Sequence, residues 1–79
     1  MTFEQVEKDV KEIRKTYGDI NVFVRETYYV CEFSNTMGRF TFLVGVGEPH
    51  QPYALTYDLG LDEFRYPKTE QTIKKLQEM

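Results

Sequence analysis

Cysteine, histidine and tryptophan are nearly or wholly missing from this chain, which has one Cys, one His and no Trp in 79 residues. A single thiol, Cys31, excludes an internal disulfide. One His with one Cys leaves too few N and S ligands for a closed zinc site. No apolar run approaches the roughly 18 residues that a membrane-spanning helix needs. The start, Met1-Thr2-Phe3-Glu4-Gln5, reads as a polar helix beginning rather than a signal peptide. With a lone mid-strand cysteine, these features point to a cytoplasmic protein with no membrane partner. Repeats, linkers and low-complexity segments are also missing, so residues 1–79 read as one domain.

A domain this short has a core that is only marginally sufficient. Six Phe and six Tyr are what the chain does have, and aromatic packing or self-association is the expected remedy.

The patterning predicts an α+β fold. Thr2 followed by Gln5 is a capping-box pair, and Gly18 stands where a left-handed cap belongs, so 2–17 is a helix. Phe3, Val6, Val10, Ile13 and Tyr17 form its apolar stripe, expected to pack on a core. From Ile20 to Leu59 the period becomes two. A two-residue hairpin at Glu26-Thr27 sets Val24 against Tyr29, Val22 against Cys31 and Ile20 against Phe33. This turn lacks the Gly or Asn that a tight primed turn prefers. A four-residue loop at Asn35-Thr36-Met37-Gly38 sets Phe33 against Phe40, Cys31 against Phe42 and Tyr29 against Val44. A third loop, Gly47 to Pro52, sets Val46 against Tyr53, Val44 against Leu55 and Phe42 against Tyr57. All the large apolar pairs then share one face, and a slip of one residue would destroy that agreement. Phe64 or Tyr66 is expected against the sheet edge. A short helix follows, with Thr69 as N-cap, Glu70 at its positive end, Lys74 and Lys75 at its negative end, and Ile73, Leu76 and Met79 as its apolar contacts. The resulting fold is α-β-β-β-β-α: a four-stranded antiparallel meander with N- and C-terminal helices packed on one face.

The same register assigns the other face. Its central row runs Phe23, Val30, Leu43, Thr56. A second row runs Arg25, Tyr28, Gly45, Ala54, and a third Asn21, Glu32, Thr41, Asp58. A face open to water normally reads polar. Phe23, Tyr28, Val30, Leu43 and Thr56 are therefore candidates for a contact surface, with Gly45 and Ala54 leaving a shallow notch beside Tyr28. Scattered exposed apolar residues are also ordinary on strands, which is the bland alternative. Residues 26–63 hold Glu26, Glu32, Glu48, Asp58, Asp62 and Glu63 against Arg39 alone, whereas 1–25 balance and 64–79 are net basic. A neutral or basic protein, or a second copy, suits such a surface. A nucleic acid does not.

No motif carries catalysis. His50 beside Glu48 has no Ser or Cys nucleophile near it in this register, and Cys31 between Tyr29 and Phe33 reads as a small buried hydrophobe. Gly45-Val46-Gly47 lacks the third glycine and the helix of a dinucleotide fingerprint. Asp58, Asp62 and Glu63 match no calcium loop. No cofactor or metal is expected. Aromatics on an open sheet suggest base-stacking platforms, but those have basic flanks and these are acidic. The helix–sheet–helix order is similar to that of double-stranded-RNA-binding domains in topology alone, which does not reach function.

The expected function is a small non-enzymatic interaction module, as homodimer, adaptor or inhibitor. Size and acidity are those common among phage and bacterial accessory proteins. The competing expectation is a small-ligand or enzyme-like cleft between the last helix, the 60–67 segment and the sheet edge, with Tyr57, Arg65 and Tyr66 as its polar handles. A third, weaker one is a mimic of nucleic-acid charge.

Overall fold

The first helix, α1 (Phe3–Tyr17), begins where Thr2 accepts a hydrogen bond from the Gln5 backbone N–H at 3.1 Å. It ends at Gly18, whose φ of 86° is left-handed and whose N–H bonds the Arg14 carbonyl. In the computed structural model, which describes residues 2–53, 62 and 64–79, α1 is followed by β1 (Asn21–Val24), β2 (Tyr28–Asn35), β3 (Gly38–Gly45) and α2 (Glu70–Gln77). The fold is α+β. The strands pair antiparallel in the order β1-β2-β3.

Both predicted hairpin registers hold within the strands, but β1 begins at Asn21, so the expected pair of Ile20 with Phe33 is not formed. Val24 pairs with Tyr29 and Val22 with Cys31, then Tyr29 with Val44, Cys31 with Phe42 and Phe33 with Phe40. The second loop is tighter than expected. Asn35 pairs directly with Gly38, leaving Thr36 and Met37 as the turn, and the Asn35 side chain accepts the Met37 N–H at 2.8 Å. Gly38 takes the positive φ that its position calls for, and it admits the Arg65 guanidinium into space a Cβ would fill. The Glu26-Thr27 turn closes through the Arg25 N–H on the Tyr28 carbonyl at 2.9 Å. No non-glycine among the described residues has positive φ, so it is not a primed turn.

The fourth strand is the principal correction. Among the described residues the sheet has three strands, not four, and of the expected strand only Tyr53 falls within them. A turn starting at Gly45, where the Glu48 N–H returns to the Gly45 carbonyl at 3.1 Å, shortens the loop. Pro52 then makes an isolated antiparallel bridge with Val44, and the Tyr53 N–H bonds the Leu43 carbonyl. Val46 therefore does not pair with Tyr53. The slip is three residues, an odd number, so Tyr53 moves to the opposite face. The expected pairs of Leu55 and Tyr57 lie outside the described residues.

The core lies between the helices and one sheet face. Ile13 and Tyr17 of α1, Ile73 of α2, and Ile20, Tyr29, Cys31, Phe42 and Val44 form one buried cluster. Tyr17 packs on Phe42 with ring centroids 4.8 Å apart. Thr69 caps α2 as predicted, accepting the Thr72 N–H at 3.1 Å. Two side-chain bonds tie α2 down: Asn35 Nδ2 donates to the Leu76 carbonyl, and Gln77 Nε2 to the Tyr17 carbonyl. The stripe of α1 departs from expectation at one end, since Phe3 is 80 % exposed. Asp9 is buried in the line of Ile13 and Tyr17 instead.

That buried carboxylate organises the sheet end of α1. Its Oδ2 accepts the Tyr29 hydroxyl at 2.7 Å and the Gly47 N–H at 3.0 Å, and Oδ1 accepts Gln5 Nε2 at 2.8 Å. Gln5 is thereby drawn away from the return bond of a capping box, of which only the Thr2 half forms.

Candidate interaction surface

The face turned away from the helices carries Phe23, Val30 and Leu43 as cross-strand neighbours, with Tyr28 opposite Gly45 and Asn21, Glu32 and Thr41 in the flanking row. The predicted rows are therefore present across three strands. Thr56 lies outside the described residues. Exposure divides the candidates: Phe23 is 44 % exposed, Tyr28 and Val30 are half-buried, and Leu43 is only 8 % exposed. Leu43 is thus floor rather than contact. Tyr53 is the aromatic that the sequence reading put on the wrong side. Its ring stacks on Tyr28 at 6.0 Å with the planes 9° apart. A Cβ at Gly45 would lie 3.2 Å from the Tyr53 ring, so the shallow notch expected at Gly45 is filled by tyrosine. Glycine is needed there because the ring lies against the strand backbone.

Acidic side chains border this surface. Glu32 is half-buried in the flanking row, Glu26 is exposed at the hairpin, and the Glu48 carboxylate reaches over Gly45. Arg25, on the same face, is exposed at the β1 end. The face therefore offers stacked aromatics and an apolar strip rimmed mostly by negative charge.

The far edge of β3 is covered by chain from both sides, with the Thr41 N–H on the Arg65 carbonyl at 2.8 Å and Tyr53 on Leu43. Phe64 packs edge-on against Phe40 at 5.3 Å, as the expected edge contact. Arg65 lies over the Phe40 and Phe64 rings at 5.9 and 5.7 Å, and its Nη1 donates to the Arg39 carbonyl at 3.4 Å. Two rings and a carbonyl occupy the proposed cation handle of a ligand cleft there. Tyr66 is half-buried and Tyr57 lies outside the described residues.

His50 is docked rather than free. Its Nε2 meets Glu12 Oε2 at 2.8 Å and its Nδ1 meets Thr16 Oγ1 at 3.2 Å, both on α1. Glu48, its sequence neighbour, is not the partner. The hydroxyl–imidazole–carboxylate order resembles a nucleophile triad, but Thr16 Oγ1 also bonds the Glu12 carbonyl at 3.1 Å. Its proton thus goes to the helix backbone, so no hydroxyl is held by a base. Together with the Gly47 bond to Asp9, the set clamps the 45–52 turn to α1 across a cleft of about 200 Å³. Helical spacing from Asp9 through Glu12 to Thr16 was the available signal for a polar flank on α1. Its loop partner 34 residues on from Thr16 had none.

Cys31 is fully buried, and burial pushes its thiol up to about 12. It is a packing residue, not a nucleophile. No group of His, Cys, Asp and Glu among the described residues is set to hold a metal ion. No helix among them is long and apolar enough to cross a membrane. No family model, curated protein or solved structure matches the chain.

Proposed function

We propose that this chain is a small cytoplasmic protein-interaction module without catalytic chemistry, acting through the sheet face that its helices leave uncovered. The observation that carries the reading is the joining of the Tyr28–Tyr53 stack to exposed Phe23 and half-buried Val30 on that one face. Rigid aromatics contribute large contact area at low cost in side-chain entropy, which is why they anchor protein interfaces. The bordering Glu26, Glu32 and Glu48 favour a neutral or basic protein and disfavour phosphate backbones. An adaptor or an inhibitor would use the face in the same way.

The test is a photo-crosslinking residue placed at Tyr28 and, as control, at Lys15 on the wet side of α1. A protein captured from Tyr28 and not from Lys15 is then purified. Tyr28→Asp is expected to weaken its binding at least tenfold with the melting temperature little changed. Equal capture from both positions, or affinity untouched by Tyr28→Asp, would refute the reading.

A further inference from the structure

The opposite border of the sheet is built differently from the β3 border. The Arg25 N–H donates to the Tyr28 carbonyl, so 25 and 28 are a hydrogen-bonded pair. By the antiparallel alternation, Phe23/Val30 and Asn21/Glu32 bond in the same way. Val22 and Val24 therefore aim their N–H and C=O groups away from β2, along a border where the described residues supply no further strand. Among the described residues only the Val24 carbonyl of these has a partner, the guanidinium of Arg25 at 3.2 Å. Proteins blunt such edges with lysine, proline or bulges. Asn-Val-Phe-Val has none of these, and its register with β2 is unbroken.

We infer that β1 is the seam of a homodimer in which two copies of β1 pair antiparallel, joining their sheets into one. The register follows from the outward groups. Val22 sits opposite Val24 of the second copy and exchanges both backbone bonds with it, and the two Phe23 residues face each other on the two-fold axis. Phe23, 44 % exposed in the single chain, is then covered by its own symmetry mate. Arg25 comes to lie opposite Asn21 of the second copy, in the row that continues to Glu32. The guanidinium thus exchanges its own strand's carbonyl for a carboxylate across the seam. Charge permits the approach: the chain is net −3, yet residues 21–25 contain no acid.

A pair of four-residue strands alone covers less than the roughly 800 Å² per partner of a stable interface. The remainder is available on α1. One flank of that helix, with Asp9, Glu12 and Thr16, is clamped to the turn after β3. Its other flank is outside that clamp. That flank forms a groove of about 390 Å³ lined by apolar Phe3, Val6 and Val10 together with charged Glu7, Lys11 and Arg14. Phe3 is 80 % exposed and Val24, on the same side of the sheet, 42 %. A two-fold axis through Phe23 sets the two grooves side by side beneath the joined sheet. This inference shares Phe23 with the interaction-face reading but rests on the strand edge and the helix side, so either can fail without the other.

Sedimentation equilibrium across the micromolar range tests it with three variants. Val24→Pro removes one outward N–H that the single chain does not bond, so the circular dichroism should be unchanged and the dimer lost. Phe3→Glu, at an exposed site outside the sheet, should weaken the dimer at least tenfold. Phe23→Cys should form a disulfide-linked dimer under mild oxidation, which Lys15→Cys should not, and buried Cys31 gives no background. Tyr28→Asp should leave the dimer intact, which separates this test from that of the sheet face. A wild-type chain that stays monomeric would overturn the inference. So would a dimer that neither Val24→Pro nor Phe3→Glu weakens, or Phe23→Cys linking no faster than Lys15→Cys.

Discussion

Asp9 offers a quantitative test of how the two layers are joined. It is 2 % exposed and accepts three hydrogen bonds, from the Tyr29 hydroxyl, the Gly47 N–H and the Gln5 amide. A bond to a charged acceptor contributes about 1.5–3 kcal/mol, and Tyr29→Phe should cost about that much. Asp9→Ala removes all three acceptor contacts, but their consequences differ. Tyr29 is fully buried, so its orphaned hydroxyl costs about 1–3 kcal/mol. Gly47 is exposed and Gln5 half-buried, and both can turn to water for a loss nearer ~0.5–1 kcal/mol each. The expected total is about 2–5 kcal/mol, a large part of the roughly 4–12 kcal/mol typical of a domain this size. In the double variant no hydroxyl is left to orphan, so its cost should fall short of the sum by about 1.5–3 kcal/mol. Asp9→Asn keeps an oxygen at the Oδ2 position and should cost only about 1 kcal/mol. Urea unfolding followed by circular dichroism measures all four. A coupling below about 0.5 kcal/mol, or a cost of Asp9→Ala below about 1 kcal/mol, would show that the carboxylate does not hold the layers together.

Two further outcomes concern the tyrosines and the thiol. The Tyr17 hydroxyl is buried without a hydrogen-bond partner among the described residues, so Tyr17→Phe should raise stability by up to about 1 kcal/mol, visible as a higher melting temperature; a loss of that size instead would mean the hydroxyl is bonded. Burial raises Tyr17 and Tyr29 well above the ordinary 10.0, the Asp9 hydrogen bond adding to it at Tyr29, and burial raises Cys31 from 9.0 to about 12. The folded chain thus holds these protons more tightly than the unfolded one. Their contribution is complete below about pH 9 and is lost as pH climbs, with a slope of up to about 1.4 kcal/mol per pH unit for each group. Ultraviolet titration should show Tyr17 and Tyr29 ionising together with unfolding, after the exposed tyrosines. A single tyrosine step near the ordinary value in a still-folded chain would contradict this.

The parts of the fold that could be read from the sequence are those set by local alternation and capping. Thr2, Gly18 and Thr69 act at the positions their residue types require. The β1–β2 and β2–β3 registers follow because a short hairpin loop and a two-residue side-chain period leave one arrangement that buries Tyr29, Cys31 and Phe42 together. The same reasoning failed after Gly45, where two prolines hid the turn that begins earlier, at Gly45 itself. It also had no way to find Asp9. In the helical pattern this residue reads as one more surface acid, and its burial depends on Tyr29 and Gly47, 20 and 38 residues away. His50 is a similar case, since its partners Glu12 and Thr16 belong to a helix that the turn reaches only once the sheet has formed.

The failed third register matters more for function than the two that held. Had Val46 faced Tyr53, the tyrosine would have joined the core and the uncovered face would have presented Tyr28 beside an empty glycine. The odd-numbered slip turns Tyr53 outward onto Tyr28, and Gly45 becomes the gap that lets its ring lie against the strand. Two consequences follow. Leu43, bonded through its carbonyl to the Tyr53 N–H, is buried, so the proposed contact surface shifts from the middle of the sheet toward Phe23, Tyr28 and Tyr53. The β3 border is closed by that same segment and by Arg65, which leaves β1 as the strand whose outward N–H and C=O groups lack a strand partner among the described residues. The shortened turn therefore builds the aromatic stack on the face and at the same time confines strand pairing with another chain to the border that carries Phe23.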